Sequence, residues 1–171
     1  FVDANLTPGQ TGSGGVELGS PGSVATFTLL FENSGNDTLQ DLRLIDLLPR
    51  IGDTSPLTCT PRNTEWKPDF AGNIITTFVS GGVTTTVSPT IEYSTDVDPC
   101  VEYWVPGAEP CGACNTGTFS TSPPGTLGDV LGLGFDFGTL KIPPSDSIFV
   151  SFDVTILDSP TPEGIAWNTF A

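Results

Sequence analysis

Apolar and polar residues alternate with a period of two along several stretches of this chain, most clearly over residues 24–33. Side chains of a strand point alternately to its two faces, so this stretch predicts a strand with one buried face. The apolar positions predicted to face the core are Ala25, Phe27, Leu29 and Phe31. The polar positions predicted to face solvent are Thr26, Thr28 and Glu32. Residues 148–157 alternate in the same way and predict a second long strand.

Shorter stretches between turn-forming residues predict the remaining strands. Gly81-Gly82 separates two β-prone stretches and predicts a tight hairpin, while Trp66 and Phe70 are the expected core anchors of an irregular region. The further predicted strands span residues 1–6, 16–18, 39–48, 74–79, 83–87, 90–94, 133–142 and 165–171. No stretch shows a convincing helical period. The pattern therefore predicts an all-β sandwich of about nine or ten short strands.

The N-terminal segment is set apart from the rest of the chain. Residues 1–6 alternate, with Val2, Ala4 and Leu6 on one face and Phe1 on the other. Residues 7–15 are rich in Gly, Ser and Thr and predict a flexible tether that spans up to about 30 Å when extended. We therefore separate residues 1–15 from a domain at residues 16–171. The segment either completes its own domain or is donated to a neighbouring subunit.

The charge of the chain narrows the classes of partner. Among 171 residues, 20 are Asp or Glu and five are Lys or Arg, which gives a net charge of −15. Such a surface repels phosphate, so neither nucleic acid nor an anionic membrane is an expected partner. No apolar run reaches the roughly 18 residues that predict a membrane-spanning helix. Histidine is absent, which removes the commonest general base and metal ligand.

Four cysteines point to an oxidising environment, and three of them lie in a long irregular insert at residues 96–128. Cys111-Gly112-Ala113-Cys114 has the spacing of a redox or zinc motif. Pro110 and Gly117 argue against the helix that a redox pair requires, and a structural zinc site normally needs a second close pair. We therefore favour disulfides. Of the three possible connectivities, Cys100–Cys111 with Cys59–Cys114 would close the insert and tie it to the preceding loop.

Residues 21–54 resemble the conserved-repeat, immunoglobulin-like domain of large bacterial and archaeal cell-surface proteins. The matching positions are Pro21, Gly22, Asn33, Gly35, Asp46, Leu48 and Pro49. Residues 93–100, 133–156 and 164–171 are similar to the longer version of this domain. The resemblance implies an immunoglobulin-like β-sandwich in a secreted protein that forms stalks, adhesins, surface layers or fibres. It implies no catalytic residue, and its general pattern lacks the cysteine-rich insert and the detached strand.

Other residues suggest modification or ligand binding. Asn5 and Asn36 occupy glycosylation sequons, and Tyr103 with Trp104 could stack on a glycan from within the insert.

Carboxylates near strand ends could bind Ca²⁺, although a solvated acidic surface explains them too; these are Asp96, Asp98 and Asp136. No other cofactor is expected.

An internal isopeptide bond would require Lys67 or Lys141 as donor. The better pair is Lys141 with Asn168, provided that a buried acid of raised pKa lies beside them.

These features together predict a non-enzymatic structural building block of an extracellular, cell-surface assembly. Its expected partners are copies of itself or adjacent repeats of the same protein. It would act either as a fibre protomer with strand exchange, through Phe1, Val2, Ala4 and Leu6, or as a repeat of a surface stalk. The alternative is an adhesin module that recognises a glycan or a surface protein through residues 96–128. Ser-based hydrolysis lacks its histidine partner, and no carboxylate pair stands out as a glycosidase site.

Overall fold

The computed structural model describes residues 21–55, 60–97, 99, 119–157 and 166–171. The strands within these ranges are β1 (Val24–Glu32), β2 (Arg43–Leu47), β3 (Asp69–Ser80), β4 (Val83–Thr86), β5 (Thr90–Ser94), β6 (Gly132–Asp136), β7 (Ser147–Thr155) and β8 (Thr169–Phe170). The one helical element in the same ranges is a 3-10 turn at Leu127–Asp129. The predicted all-β class is therefore confirmed.

The strands form two antiparallel four-stranded sheets. The first sheet has the order β1-β7-β3-β4 and the second has the order β5-β6-β2-β8. Phe27 and Phe152 pack edge to face within the first sheet, with ring centroids 5.7 Å apart. Phe70 of the first sheet contacts Tyr93 of the second, with centroids 6.3 Å apart. The main apolar core therefore lies between the two sheets.

The two long alternating stretches form strands, as their patterns predict, and these strands are neighbours in the first sheet. β1 and β7 pair over their whole length, from Val24 opposite Thr155 to Glu32 opposite Ser147. The odd-numbered residues of β1 and the even-numbered residues of β7 point into the core. The fully buried side chains of these two strands are Leu29, Ile148, Val150, Phe152 and Val154. Burial of one large aliphatic or aromatic side chain contributes roughly 1.5–3 kcal/mol, so this pair of strands supplies much of the core.

The hairpin predicted at Gly81-Gly82 is confirmed. Ser80 pairs with Val83, and the two intervening glycines have φ angles of 55° and 80°. A two-residue hairpin turn with positive φ at both positions matches the twist of its strands, and glycine adopts this conformation without a steric penalty. β5 also coincides with the predicted strand at residues 90–94.

Two predicted strands are shorter in the structure because left-handed residues interrupt them. Asp41 and Gly138 have φ angles of 57° and 52°, and the Asp41 amide donates to the Gly138 carbonyl at 3.1 Å. Beyond this point, Leu39 and Ile142 form a single isolated bridge. The predicted strands at 39–48 and 133–142 therefore contract to β2 and β6.

β3 instead begins earlier than predicted. Phe70 is buried in the core, as expected, and it already pairs with Val154 of β7. Register shifts of one residue occur on both sides of Gly72, and Asn73 has a φ of 52°. The two shifts add to two residues, so Phe70, Ile74 and Phe78 all stay on the core side of β3. The early part of the strand is missed because Gly72 and Asn73 are poor strand formers and interrupt the apolar alternation.

Asn33 fastens the turn that follows β1 to the chain before β7. Its side-chain amide donates to the carbonyls of Asp37 and Ile142, both at 2.8 Å, and its Oδ1 accepts from the Gly35 amide at 3.0 Å. Its backbone amide donates to the Asp146 carbonyl at 3.0 Å. Asn33 and Ile142 are both buried, so loss of the bond between them would leave a buried carbonyl without this partner.

We expect Asn33→Ala to lower the free energy of unfolding by roughly 2–4 kcal/mol, because three side-chain hydrogen bonds are lost at a buried site. Asn36→Ala is the matched control, since Asn36 lies in the same turn but is exposed. The control should change stability by less than about 0.5 kcal/mol. Urea unfolding of unglycosylated protein measures both variants, and equal effects would contradict the assignment of Asn33.

Candidate functional site

On the outer edge of β1, a row of backbone groups points away from β7. The Asn33 amide donates to the Asp146 carbonyl and the Ile156 amide donates to the Ser23 carbonyl, at 3.0 and 2.9 Å. These two bonds fix the phase of the antiparallel ladder, so odd-numbered residues of β1 direct their backbone groups toward β7. The residues whose amides point away from β7 are Val24, Thr26, Thr28, Leu30 and Glu32. Within the ranges that the structure describes, no strand pairs with this edge.

An apolar groove opens beside the first half of this edge. Its lining comes from β1, from the end of β7 and its continuation, from the loop before β3 and from the segment before β8. The lining residues are Ala25, Thr26, Phe27, Trp66, Val154, Ile156 and Ala166. Trp66 is half-buried here, so this predicted core anchor forms one wall of the groove. A free strand edge with an adjacent apolar groove is the arrangement that accepts an added strand with alternating apolar side chains.

A carboxyl group, that of Asp46, lies in the core on β2, beside β8. Asp46 shares the inward face of β2 with Leu44 and is completely buried. The Asn168 side-chain amide donates to Asp46 Oδ2 at 2.8 Å. Backbone bonds between Ile45 and Ala171, both of 2.8 Å, continue the same attachment. The segment at 166–171 is therefore held to β2 by a side-chain bond in addition to its short ladder.

A buried arginine holds the loop that follows β2. Arg62 donates to the carbonyls of Leu47 and Leu48 at 2.7 and 3.1 Å, and it forms a buried ion pair with Asp53. The Asp53 carboxylate also accepts from the Arg50 amide at 2.8 Å. An arginine can satisfy several acceptors at once because its guanidinium presents five donors in a fixed plane. The end of β2 and the loop at 50–64 are thereby joined into one unit.

Burial shifts the pKa of two of these side chains, Asp46 and Arg62. Loss of hydration raises the pKa of Asp46 to about 7, although the hydrogen bond from Asn168 and the charge of Arg62 act in the opposite direction. Burial also lowers the pKa of Arg62, while the neighbouring Asp53 and Asp46 raise it. Asp46 therefore exchanges its proton near neutral pH, in contrast to an exposed carboxyl group.

The structure brings together only part of the predicted isopeptide site. Asn168 does meet a buried acid of raised pKa, which is Asp46. Lys141 is exposed beside the bridge between Leu39 and Ile142, at the other end of β2 from Asn168. Lys67 donates instead to Asp69 and to the Gly128 carbonyl, at 3.1 and 2.8 Å. Lys141 is therefore not positioned to attack Asn168 within the same chain, and Lys67 is engaged with other partners.

Most of the residues predicted for a site lie outside the described part of the chain. These are Phe1, Val2, Ala4, Asn5, Leu6, Cys59, Asp98, Cys100, Tyr103, Trp104, Cys111 and Cys114. Asn36 is described, and it is exposed at the tip of its turn. Asp136 pairs with Arg43 at 3.2 Å and accepts from the Gly138 amide at 2.8 Å. Among the described residues, no group of three or more acidic, Cys or His side chains is placed to hold a metal ion.

Sequence patterns did not identify Arg62 and Asp53 as a buried pair. Both lie in an irregular loop, where no periodicity assigns a residue to the core. Asp46 did give a signal, since it is the single charged residue between Leu44 and Leu48 in an apolar stretch. A charge at a core-facing position predicts a buried partner of opposite charge or a donor.

Comparison with known proteins does not assign the chain to a class. No protein-family model, no curated protein and no solved structure matches it. Among the described residues, no helix is long and apolar enough to cross a membrane. The geometry of the edge, the groove and the buried cluster is therefore the basis for assigning a function.

Asp46 makes stability dependent on pH in a defined direction. Its pKa is 3.8 in an ordinary setting and about 7 in the folded protein. Between these values the unfolded chain loses the proton that the folded chain retains, so rising pH favours unfolding. We expect the free energy of unfolding to fall from pH 4 to pH 7, by up to about 1.4 kcal/mol per pH unit from this group, and to level off above pH 7.

Asp46→Asn separates this effect from the general repulsion among the acidic residues. An asparagine cannot ionise, and its Oδ1 can still accept from the Asn168 amide. The variant should therefore show a shallower decline in stability over the same pH range, with the largest gain relative to the original protein at pH 7 and above. Urea unfolding at half-unit pH steps measures this, and parallel curves would refute the role of Asp46.

Proposed function

We propose that the protein is a non-enzymatic structural building block of an extracellular assembly. In this assembly, residues 1–6 of one copy add as a strand to the outer edge of β1 in the next copy. The observation that carries the proposal is the β1 edge, which faces no strand in the described part of the chain and borders an apolar groove. An immunoglobulin-like arrangement of the two sheets is part of this proposal.

The acceptor edge offers both components of strand addition. The outward amides of β1 provide hydrogen bonds that do not depend on the identity of the added side chains. The groove provides selectivity, because alternate side chains of the added strand would enter it. Val2, Ala4 and Leu6 occupy alternate positions of the sequence, so they would share one face of an added strand and enter the groove together. Every second side chain of the added strand would thus be apolar and would face the groove.

The tether and the charge of the chain also support an assembly of this kind. Residues 7–15 can span up to about 30 Å, which lets the N-terminal segment reach a second copy. The net charge of −15 opposes close approach of two copies over most of their surfaces. Backbone hydrogen bonds at a strand edge carry no net charge, so they are a suitable means of joining such molecules.

The described polar clusters support a mechanical role. Arg62 and Asp53 immobilise the loop after β2, while Asp46 and Asn168 attach the segment at 166–171. These groups use their hydrogen-bonding capacity to join chain segments. An extracellular location is supported by the even number of cysteines, by the sequons at Asn5 and Asn36 and by the resemblance to surface proteins.

Removal of residues 1–6 should abolish polymers while leaving a folded monomer. The donated strand is lost, whereas both sheets of the described domain are built from residues after position 20. Negative-stain microscopy and sedimentation velocity measure assembly, and circular dichroism with thermal unfolding confirms the fold. Filaments that persist in the truncated protein would reject strand donation.

Thr28→Pro tests the acceptor edge independently of the donor. The amide of Thr28 points away from β7, so proline removes an edge donor and no bond of the β1–β7 ladder. We expect a folded monomer that still has its own donor strand but does not accept one, so the variant alone should stay monomeric. Thr28→Ser is the matched control and should polymerise normally.

A mixture of the two variants tests the donor and the acceptor in one experiment. Mixing the truncated protein with Thr28→Pro protein should yield no polymer longer than a dimer, since one lacks the donor and the other lacks the acceptor. Long filaments from Thr28→Pro protein alone would show that β1 is not the acceptor.

A further inference from the structure

The outer face of the first sheet has a centre without charge. Cross-strand pairing places Leu30 beside Phe149, Phe149 beside Thr77, and Thr77 beside Thr86. The next row contains Thr28, Ser151 and Ile75. We call this surface the uncharged face, and its residues are Thr28, Leu30, Ile75, Thr77, Thr86, Phe149 and Ser151.

The uncharged face combines apolar and hydroxyl side chains on a regular surface. Leu30 and Phe149 are directly opposite each other, and Ile75 lies diagonal to Phe149 with 49% of its surface exposed. The other side chains of the face are Thr and Ser, which can donate and accept hydrogen bonds. The next row along β1 holds an acid, Glu32, opposite Ser147, and it bounds the face on that side. The nearest acid along β7 is Asp153, which already accepts from Thr26 at 2.7 Å and from Asn73 at 2.8 Å.

The outer face of the second sheet is different. Ile45 on that face packs with Leu47, Phe119 and Ala171, so part of it is already covered. Its remaining positions include the ion pair of Arg43 with Asp136. The two outer faces of the domain therefore differ in charge and in coverage.

We infer that the uncharged face binds the same face of a second copy of this chain. A chain with a net charge of −15 repels its own copies, and this repulsion is weakest where neither surface carries a charge. A basic partner would instead be drawn to the acidic parts of the surface. Two sheets can pack face to face about 10 Å apart, and a two-fold axis makes one patch complementary to itself.

The size of the face determines the strength of the contact. Four strands with a spacing of about 4.8 Å and two to three rows of side chains give an area on the order of 200–300 Å². A stable interface buries about 800 Å² on each partner, so one such contact is weak. Many copies displayed together would multiply the contact through their high effective concentration. Association is therefore expected between arrays of the protein and not between two isolated monomers.

Agglutination of beads coated with the full chain tests the inference without requiring filaments. Beads coated with the original protein should agglutinate in about 150 mM NaCl, where charge repulsion over more than about 8 Å is screened. Thr77→Glu places a charge at the centre of the face and should agglutinate clearly less than the original protein. Thr90→Glu places the same charge on an exposed strand position of the other sheet and should agglutinate normally. Thermal unfolding confirms that both variants are folded.

Each outcome decides the matter. Weaker agglutination of Thr77→Glu, with Thr90→Glu equal to the original protein, supports the uncharged face as a self-association surface. Dispersed beads of the original protein would overturn the inference, and so would equal agglutination by both variants. Strand donation at the β1 edge would contribute equally to all three proteins, so the difference between the two variants reports on the uncharged face alone. Failure of this inference is therefore distinguishable from failure of the proposed assembly, which the removal of residues 1–6 tests.

Discussion

The antiparallel register between β1 and β7 is the constraint on which the rest of the structure depends. It places the odd residues of β1 and the even residues of β7 in the core, where Phe27 packs against Phe152. The same register directs the even amides of β1 away from β7 and assembles the uncharged face on the outside. A shift by one residue would exchange the faces of a strand and destroy all three features together.

Strand alternation predicts faces well and strand ends less well. β1 and β7 were predictable because each has one buried face and no interruption. β2 begins just after Asp41 and β6 ends just before Gly138. Both residues adopt left-handed conformations, and the pattern of apolar residues does not encode that turn. The early part of β3 was missed because Gly72 and Asn73, where the bulge lies, are poor strand formers and interrupt the apolar positions. Local periodicity thus fails where backbone geometry departs from regular strand.

The candidate site was predictable to a smaller extent than the fold. The donor segment with Val2, Ala4 and Leu6 is visible in the sequence as a short alternating stretch. Its proposed acceptor is not, because the position of β1 at a sheet edge depends on pairing between distant parts of the chain. The same holds for Arg62, whose partners Asp53 and Leu47 are 9 and 15 residues away.

The buried polar side chains contribute less to the stability of this domain than to fixing where its strands end and which segments pair. Removing two charges such as Arg62 and Asp53 from water costs several kcal/mol for each ion, so an apolar pair would often be as stable. The ion pair nevertheless directs Arg62 to the carbonyls of Leu47 and Leu48, which fixes where β2 ends. Asp46 similarly selects Asn168 as the partner for the last described segment. A domain whose proposed role is to transmit load between copies benefits from defined strand ends, because a strand that can slip in register cannot hold a neighbour in place.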